Sequence, residues 1–339
     1  MANIYRGLFH GEHAFWLESG RYQAAVLPDI GANLIAFRDI RNDYRFLREP
    51  AREEMDAFRQ KPRNHGIPVL FPPNRFQDGT FRLNGKTYSF PINEERTGNH
   101  IHGFFYDRPW DVPEYGMSEE ESFIVLVQDV DKTHNVFSYF PHLFRFTLKY
   151  ALSPQGLSQT VHIVNRGEDP MPCMLAFHTA INAPFSPRST IHDCLCKITI
   201  GERWELDDRM LPTGHKPPLE AWELSMRDTR ISPFFKAMDN HYTSMPQDGK
   251  NYMELEDTRE KVRFVYDVGT GYKQWMIWNN GAKGGYICPE PQTNLVNAPN
   301  IQLPNEIKGL IMLEPGEVWT ETSRFYVEAR NGQPPEEVH

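Results

Sequence analysis

Cysteine is scarce in this 339-residue chain: Cys173, Cys194, Cys196 and Cys288 are all it has. Four thiols at those intervals make no disulfide framework, and Cys194 and Cys196, two apart, share one strand face rather than forming a zinc knuckle. All four read as reduced, mostly buried thiols. Long hydrophobic runs are also missing, so no segment has the apolar length that spans a bilayer. The first twenty residues set Arg6, His10, Glu12, His13 and Glu18 among single hydrophobes, which leaves no signal-peptide core. There is no glycine-rich phosphate loop, no Gly-x-Ser-x-Gly elbow and no strand–helix alternation of the doubly wound type. Positive charge is in deficit: the formal net charge of −9 argues against nucleic acid or an anionic membrane surface as partner. A cytoplasmic location is the expectation left by these absences.

What the chain has is alternation with a period of two. Phe144, Phe146, Leu148, Tyr150 and Leu152 interleave with Arg145, Thr147, Lys149 and Ala151, which predicts a half-buried strand. Ser153-Pro154-Gln155-Gly156 then supplies a turn, and Leu157 to Asn165 returns as its hairpin partner. Asn84-Gly85 predicts a second hairpin between Thr80–Leu83 and Lys86–Phe90. Similar runs recur at 15–17, 22–27, 123–127, 171–177, 191–200, 262–268, 275–278 and 318–327. Helical periodicity is confined to Pro50–Arg59 and, more briefly, Ser232–Met238. With 40% hydrophobic and 13% aromatic residues there is ample material for a large core. These features predict one large all-β domain over residues 1–339, ending in a polar tail from about residue 331.

With no cysteine or serine nucleophile in a suitable context, the chemistry falls to histidine, carboxylate and arginine. Glu290 sits between Pro289 and Pro291, whose fixed φ angles stiffen the backbone around the acid. A stiffly held carboxylate suits a general base; a proline-rigidified surface loop is the bland alternative. His178, at the end of the apolar run 171–177, is either a proton donor at a groove or a hydrogen-bonded structural histidine. His100 and His102 would lie on one face if their segment is extended, a spacing that has a metal-ligand reading but no third ligand nearby. Arg75, after Pro72-Pro73-Asn74, and Asp239 could each hold hydroxyl groups or serve as solvated surface residues. Trp275 and Trp278 could stack on a sugar or fill the core.

In order, these segments resemble the aldose 1-epimerases, the galactose mutarotase-like enzymes, from about Pro28 to Tyr326. Pro28-Asp29-Ile30-Gly31-Ala32 is similar to the family's first strand and turn. Asn74-Arg75, Gly79-Thr80-Phe81, Gly85-Lys86-Thr87-Tyr88, Asn93 and His100-Ile101-His102-Gly103 follow its long N-terminal signature. His178 with Asn182 resembles the catalytic-histidine segment, Met238-Asp239 the substrate-binding aspartate, and Glu290-Pro291-Gln292 through Asn300 the catalytic-glutamate motif. Leu313-Glu314-Pro315-Gly316-Glu317 is similar to the C-terminal hairpin. Two departures stand out. His178-Thr179-Ala180-Ile181-Asn182 replaces the usual His-Pro-aromatic-Phe-Asn, and Phe104 follows His102-Gly103. Both also occur in hexose-6-phosphate 1-epimerases, whose substrate needs a basic cluster; Arg75, Arg82, Arg96 and Arg108 are available for one.

The resemblance implies a large antiparallel β-supersandwich with few short helices, acting on a small-molecule sugar as monomer or homodimer. It implies Glu290 as base toward the anomeric hydroxyl, His178 as acid toward the ring oxygen and His102 in support. Arg75 and Asp239 would orient sugar hydroxyls, with His100 a further candidate contact. Interconverting anomers needs only two reversible proton-transfer groups, so no metal or cofactor is implied. Two other readings stay open: a non-catalytic carbohydrate-binding protein on the same fold, and a metal-dependent sugar isomerase using His100 and His102.

Overall fold

The computed structural model describes residues 1–329, so the expected tail from about residue 331 lies outside the described residues. Strands dominate, and among the described residues the α-helices are short: Met55–Gln60, Ala221–Asp228 and Asn305–Lys308. Three large antiparallel sheets carry the chain. The first is a meander of Asn3–Phe9, Glu12–Ser19, Tyr22–Leu27, Asn33–Asp39 and Tyr44–Arg45. The second has eight strands in the order Asp111–Met117, Ser122–Val130, Phe144–Ser153, Gly156–Asn165, Val318–Ala329, Val262–Asp267, Tyr252–Asp257 and Cys194–Ile198. The third runs Ile200–Trp204, Asp239–Ser244, Gln274–Trp278, Gly285–Gln292, Ala176–Phe177 and Val69–Leu70, with Ile181–Ala183 also paired to Gly285–Gln292.

Both predicted hairpins form. Phe144 pairs with Asn165 and Ser153 with Gly156. In the Thr80–Leu83 and Lys86–Ser89 hairpin, Asn84 and Gly85 adopt φ of 49° and 77°, the mirror-image turn that matches strand twist. The predicted helix at 50–59 appears as a 3₁₀ turn, Arg52–Glu54, running into Met55–Gln60. The predicted helix at Ser232–Met238 does not form. Asn279 clamps that stretch into turns: its amide donates to the Pro233 and Lys236 carbonyls, and its carbonyl accepts from Met238 N at 2.8 Å. A helix forms instead at Ala221–Asp228, where the buried Glu223 carboxylate caps the first turn by accepting from Glu220 N at 2.7 Å.

The core between the sheets is strongly aromatic. Phe46 stacks on Phe264 with ring centroids 4.5 Å apart, and Tyr266 on Phe325 at 4.2 Å. Phe71 meets Phe105, Phe140, Phe144 and Phe146 in a second knot beneath the loop that carries Arg75. Each such fully buried ring contributes roughly 1.5–3 kcal/mol of transfer free energy, so the loops above rest on a rigid floor. All four cysteines are buried free thiols, Cys173, Cys194 and Cys196 in this core and Cys288 in a small cluster with Ala180 and Tyr286.

Candidate functional site

The site is built on the third sheet, and its geometry follows from two prolines. Strand Gly285–Gln292 pairs with Ile181–Ala183 at one end, Ile181 opposite Ile287, and with Ala176 opposite Gln292 at the other. These two pairings share one register, which places His178 directly opposite Glu290. Between them the ladder is interrupted, because Pro289 and Pro291 have no N–H to offer that edge. On the opposite edge the segment is held firmly: His178 N donates to Pro68 O at 3.1 Å and Ala180 N to Gly66 O at 2.9 Å. Alternation then sends Thr179 into the core, where its hydroxyl meets Tyr266 Oη at 3.3 Å, and His178 to the opposite face.

On that face, paired residues line up in rows across the sheet. Glu290 lies opposite Met276, and Trp278 opposite both Cys288 and Asp239. These side chains wall a pocket of about 130 Å³ lined by Asn64, Asn74, Arg75, Ile101, His102 and His178 together with Asp239, Met276, Trp278 and Glu290. A larger cleft of about 430 Å³ lies at the far end of strand Asp239–Ser244, near Lys216 and Met245. Its Lys216 is tied to the exposed Glu202 at 2.6 Å, and among the described residues no histidine or buried carboxyl lines it, so the smaller pocket is the candidate site.

Inside the pocket His178 Nε2 stands 3.2 Å from Glu290 Oε1. His178 is 6% exposed and Glu290 2%, and the second polar atom of each, Nδ1 and Oε2, has no hydrogen-bond partner among the described residues. Burial, then the charge of Asp239, pushes the Glu290 carboxyl well above its usual range, with Arg75 opposing. Burial pushes the His178 imidazole down to about 4; a backbone hydrogen bond opposes this, and the Arg63 and Arg75 charges add to it. Both shifts run against charge on the group concerned, burial being the first cause in each. A proton passed between Nε2 and Oε1 across this 3.2 Å contact leaves a base and an acid side by side.

His102 stands edge-on to His178, ring centroids 5.5 Å apart at 88°, with its Nδ1 unpartnered. Its burial, reinforced by the His178 ring and by Arg63 and Arg75 nearby, holds its pKa well below the ordinary value, so it faces the pocket neutral. The backbone there is held by Asn74, whose carbonyl accepts from His102 N at 2.9 Å, and by Phe71, whose carbonyl accepts from Phe104 N at 3.0 Å. The intervening Gly103 has φ 66°, and a Cβ on it would sit 2.3 Å from the Phe71 carbonyl carbon. Only glycine lets the two loops close this way.

His102 itself leaves the strand at φ 70°, and that breaks the alternation expected for His100 and His102. The two rings do not share a face. His100 packs between Phe90 and Phe104, its Nδ1 2.7 Å from Pro91 O, and it does not line the pocket. Arg75, His102, His178, Asp239 and Glu290 are brought together; His100 is not. The other arginines are also elsewhere: Arg82 and Arg96 are exposed outside the lining, and Arg108 donates to Phe104 O and Asn135 Oδ1. Trp275 is core, its indole donating to Asn251 Oδ1 at 3.0 Å, whereas Trp278 walls the pocket. Asn64 and Met276 are lining residues that carried no signal in the sequence. Met276 was traceable through its register with Glu290; Asn64 ends a short 3₁₀ turn whose position depends on tertiary packing.

Comparison with known proteins bears on the family and the fold. The aldose 1-epimerase family profile matches residues 14–326. A galactose mutarotase-like protein from Clostridium acetobutylicum is 33% identical in sequence, with a TM-score of 0.92 over 96% of this chain and 98% of that one. The galactose 1-epimerase of Lactobacillus acidophilus NCFM, 14% identical, superposes with a TM-score of 0.74 over 97% and 99% of the two chains, a likeness of fold. The Escherichia coli K12 protein YihR, described as uncharacterized, is 24% identical over 156 residues, 45% of this chain and 47% of its own length. The match thus spans about half of that relative. The family profile takes in every residue that lines the pocket, and the chain therefore belongs to the aldose 1-epimerase family, with a galactose mutarotase-like fold.

Proposed function

We propose that the protein is an aldose 1-epimerase that interconverts the α and β anomers of a free aldohexose. The observation that carries this reading is the His178–Glu290 pair, 3.2 Å apart in a pocket, each with one buried polar atom left free. Mutarotation needs the O1 proton removed while the ring oxygen receives one. The C1–O5 bond then breaks to give the open-chain aldehyde, rotation about C1–C2 turns the carbonyl, and ring closure reverses both transfers. Glu290 as carboxylate takes the O1 proton, and His178 as imidazolium delivers one to O5. The pair starts and ends with one shared proton, so the cycle balances without a further reactant.

The other residues have positioning roles. His102, neutral and edge-on to His178, holds the imidazole's orientation or a neighbouring sugar oxygen. Asp239 accepts from sugar hydroxyls and Arg75 donates to them, while Trp278 offers an apolar wall to a ring face. Free sugar is favoured over sugar phosphate because Arg75 is the single cation among the described lining residues.

The test is polarimetry on freshly dissolved α-D-glucose and α-D-galactose in the presence of a chelator. The expected result is faster approach to the anomeric equilibrium with protein present. No acceleration with either sugar contradicts the reading and puts a carbohydrate-binding role in front.

A further inference from the structure

Arg75 does not enter the pocket as a free cation. Its Nε donates to Glu94 Oε2 at 3.0 Å and its Nη2 to Glu94 Oε1 at 3.0 Å, a two-pronged contact that uses one edge of the guanidinium. Nη1 is left with a weak contact, 3.4 Å from Asn74 Oδ1, on the side where Asn74 and Arg75 line the pocket. Glu94 itself is held from behind. Its carboxylate accepts from the Thr97 hydroxyl and, at 3.4 Å, from the Asn99 amide. Arg209 then ties this loop down, donating to Thr97 O at 2.8 Å, Gly98 O at 3.1 Å and Asn99 Oδ1 at 3.3 Å. Burial pushes the Glu94 carboxyl up, but the hydrogen bonds from Arg75, Thr97 and Asn99 outweigh it and bring it below the usual range, so Glu94 is an anion.

We propose that Glu94 is the positioning residue for Arg75, and that its charge fits the pocket to an uncharged sugar and against a sugar phosphate. This rests on the mutarotase reading above. Glu94 fixes the guanidinium plane so that Nη1 points at a substrate hydroxyl, and it cancels the charge of the one lining cation. The acidic lining groups, Asp239 and Glu290, add no positive charge. A phosphate brought to Arg75 would meet no uncompensated positive charge, whereas a hydroxyl needs only the aligned donor.

The test is the isosteric variant Glu94→Gln, read in two ways. In mutarotation, KM for the preferred hexose should rise about tenfold while kcat stays within about threefold, the pattern of lost ground-state and transition-state binding alike. In titration calorimetry with inorganic phosphate, the wild-type protein should show no binding at millimolar concentration. Glu94→Gln should gain it, and Glu94→Gln with Arg75→Gln should lose it again. Thr97→Val, which removes a donor from behind the carboxylate, should move KM the same way to a smaller extent. An unchanged KM in Glu94→Gln together with no gain of phosphate binding overturns the proposal, as does wild-type protein that binds phosphate as well as the variant. The phosphate titration needs no mutarotase activity, so failure of the functional reading and failure of this proposal give different results.

Discussion

His178 and Glu290 face each other across a stretch of sheet ladder that two prolines have interrupted, and across it Nε2 and Oε1 are 3.2 Å apart. In an ordinary ladder this pair would be one cross-strand contact among many. Here Pro289 and Pro291 remove the donors on that edge, the backbone at 178 and 180 is held from its other side by residues 66–68, and two buried titratable groups meet in the pocket.

Removing either of the proposed proton-transfer groups should nearly silence turnover. Glu290→Gln and His178→Asn should each lower kcat by about 10²–10⁴-fold, the usual worth of a positioned acid or base. Both substitutions keep a polar amide in the buried position, so circular dichroism and the thermal midpoint should remain close to wild type. A variant that keeps most of its activity removes that residue from the mechanism.

Asp239 sets the upper end of the pH range. Its negative charge helps raise the Glu290 carboxyl, so Asp239→Asn should make the shared proton easier to lose. The high-pH limb of kcat/KM should therefore shift to lower pH in Asp239→Asn, alongside a higher KM from the lost hydroxyl acceptor. A limb that stays in place or moves upward contradicts the assigned coupling.

Acid should destabilise the fold from well above the carboxylate range. His65, His100, His142 and His241 are each pushed by burial from 6.5 down to about 4. The unfolded chain then binds more protons than the folded one between those values. The stability these neutral histidines contribute is complete above about pH 6.5 and is lost as pH falls toward 4, each accounting for up to about 1.4 kcal/mol per pH unit. Urea midpoints measured from pH 7 to pH 4.5 should fall steadily through this window. A flat midpoint would mean these rings are already protonated or exposed.

Gly103 should tolerate no side chain. Gly103→Ala would put a methyl within 2.3 Å of the Phe71 carbonyl carbon at φ 66°, forcing apart the loops that present Asn74 and His102. A loss of roughly 3 kcal/mol or more is expected, with a fall in kcat/KM. Gly285→Ala is the control: it shares a positive φ, 91°, but nothing lies within 4 Å of its new methyl, so about 1–2 kcal/mol is the expected cost. Equal costs in the two variants would contradict the close-approach account.

Local chemistry explains what was legible in the sequence. Asn84-Gly85 and the Phe144–Asn165 alternation dictate their hairpins through turn conformation and side-chain period, and the structure follows them. The prolines around Glu290 marked a constrained acid, but the partner they would expose came from a register set by residues 176 and 292. Long-range contacts account for the rest. Ser232–Met238 reads as a helix until Asn279, distant in sequence, takes its backbone hydrogen bonds. His100 and His102 read as a same-face pair until the close packing of Gly103 on Phe71 accompanies a left-handed turn at His102. Arg75 stood out as a candidate, yet nothing local signalled that Glu94, Thr97, Asn99 and Arg209 would fix its plane.

The most direct test of the proposed chemistry is exchange NMR on free aldohexoses at anomeric equilibrium. Wild-type protein should produce exchange cross-peaks between the α and β H1 resonances of glucose or galactose at concentrations where the spontaneous rate gives none, and Glu290→Gln and His178→Asn should abolish them. Cross-peaks of undiminished intensity in both variants, or none with wild-type protein and either sugar, would contradict the assignment of the His178–Glu290 pair as the acid–base machinery of a mutarotase.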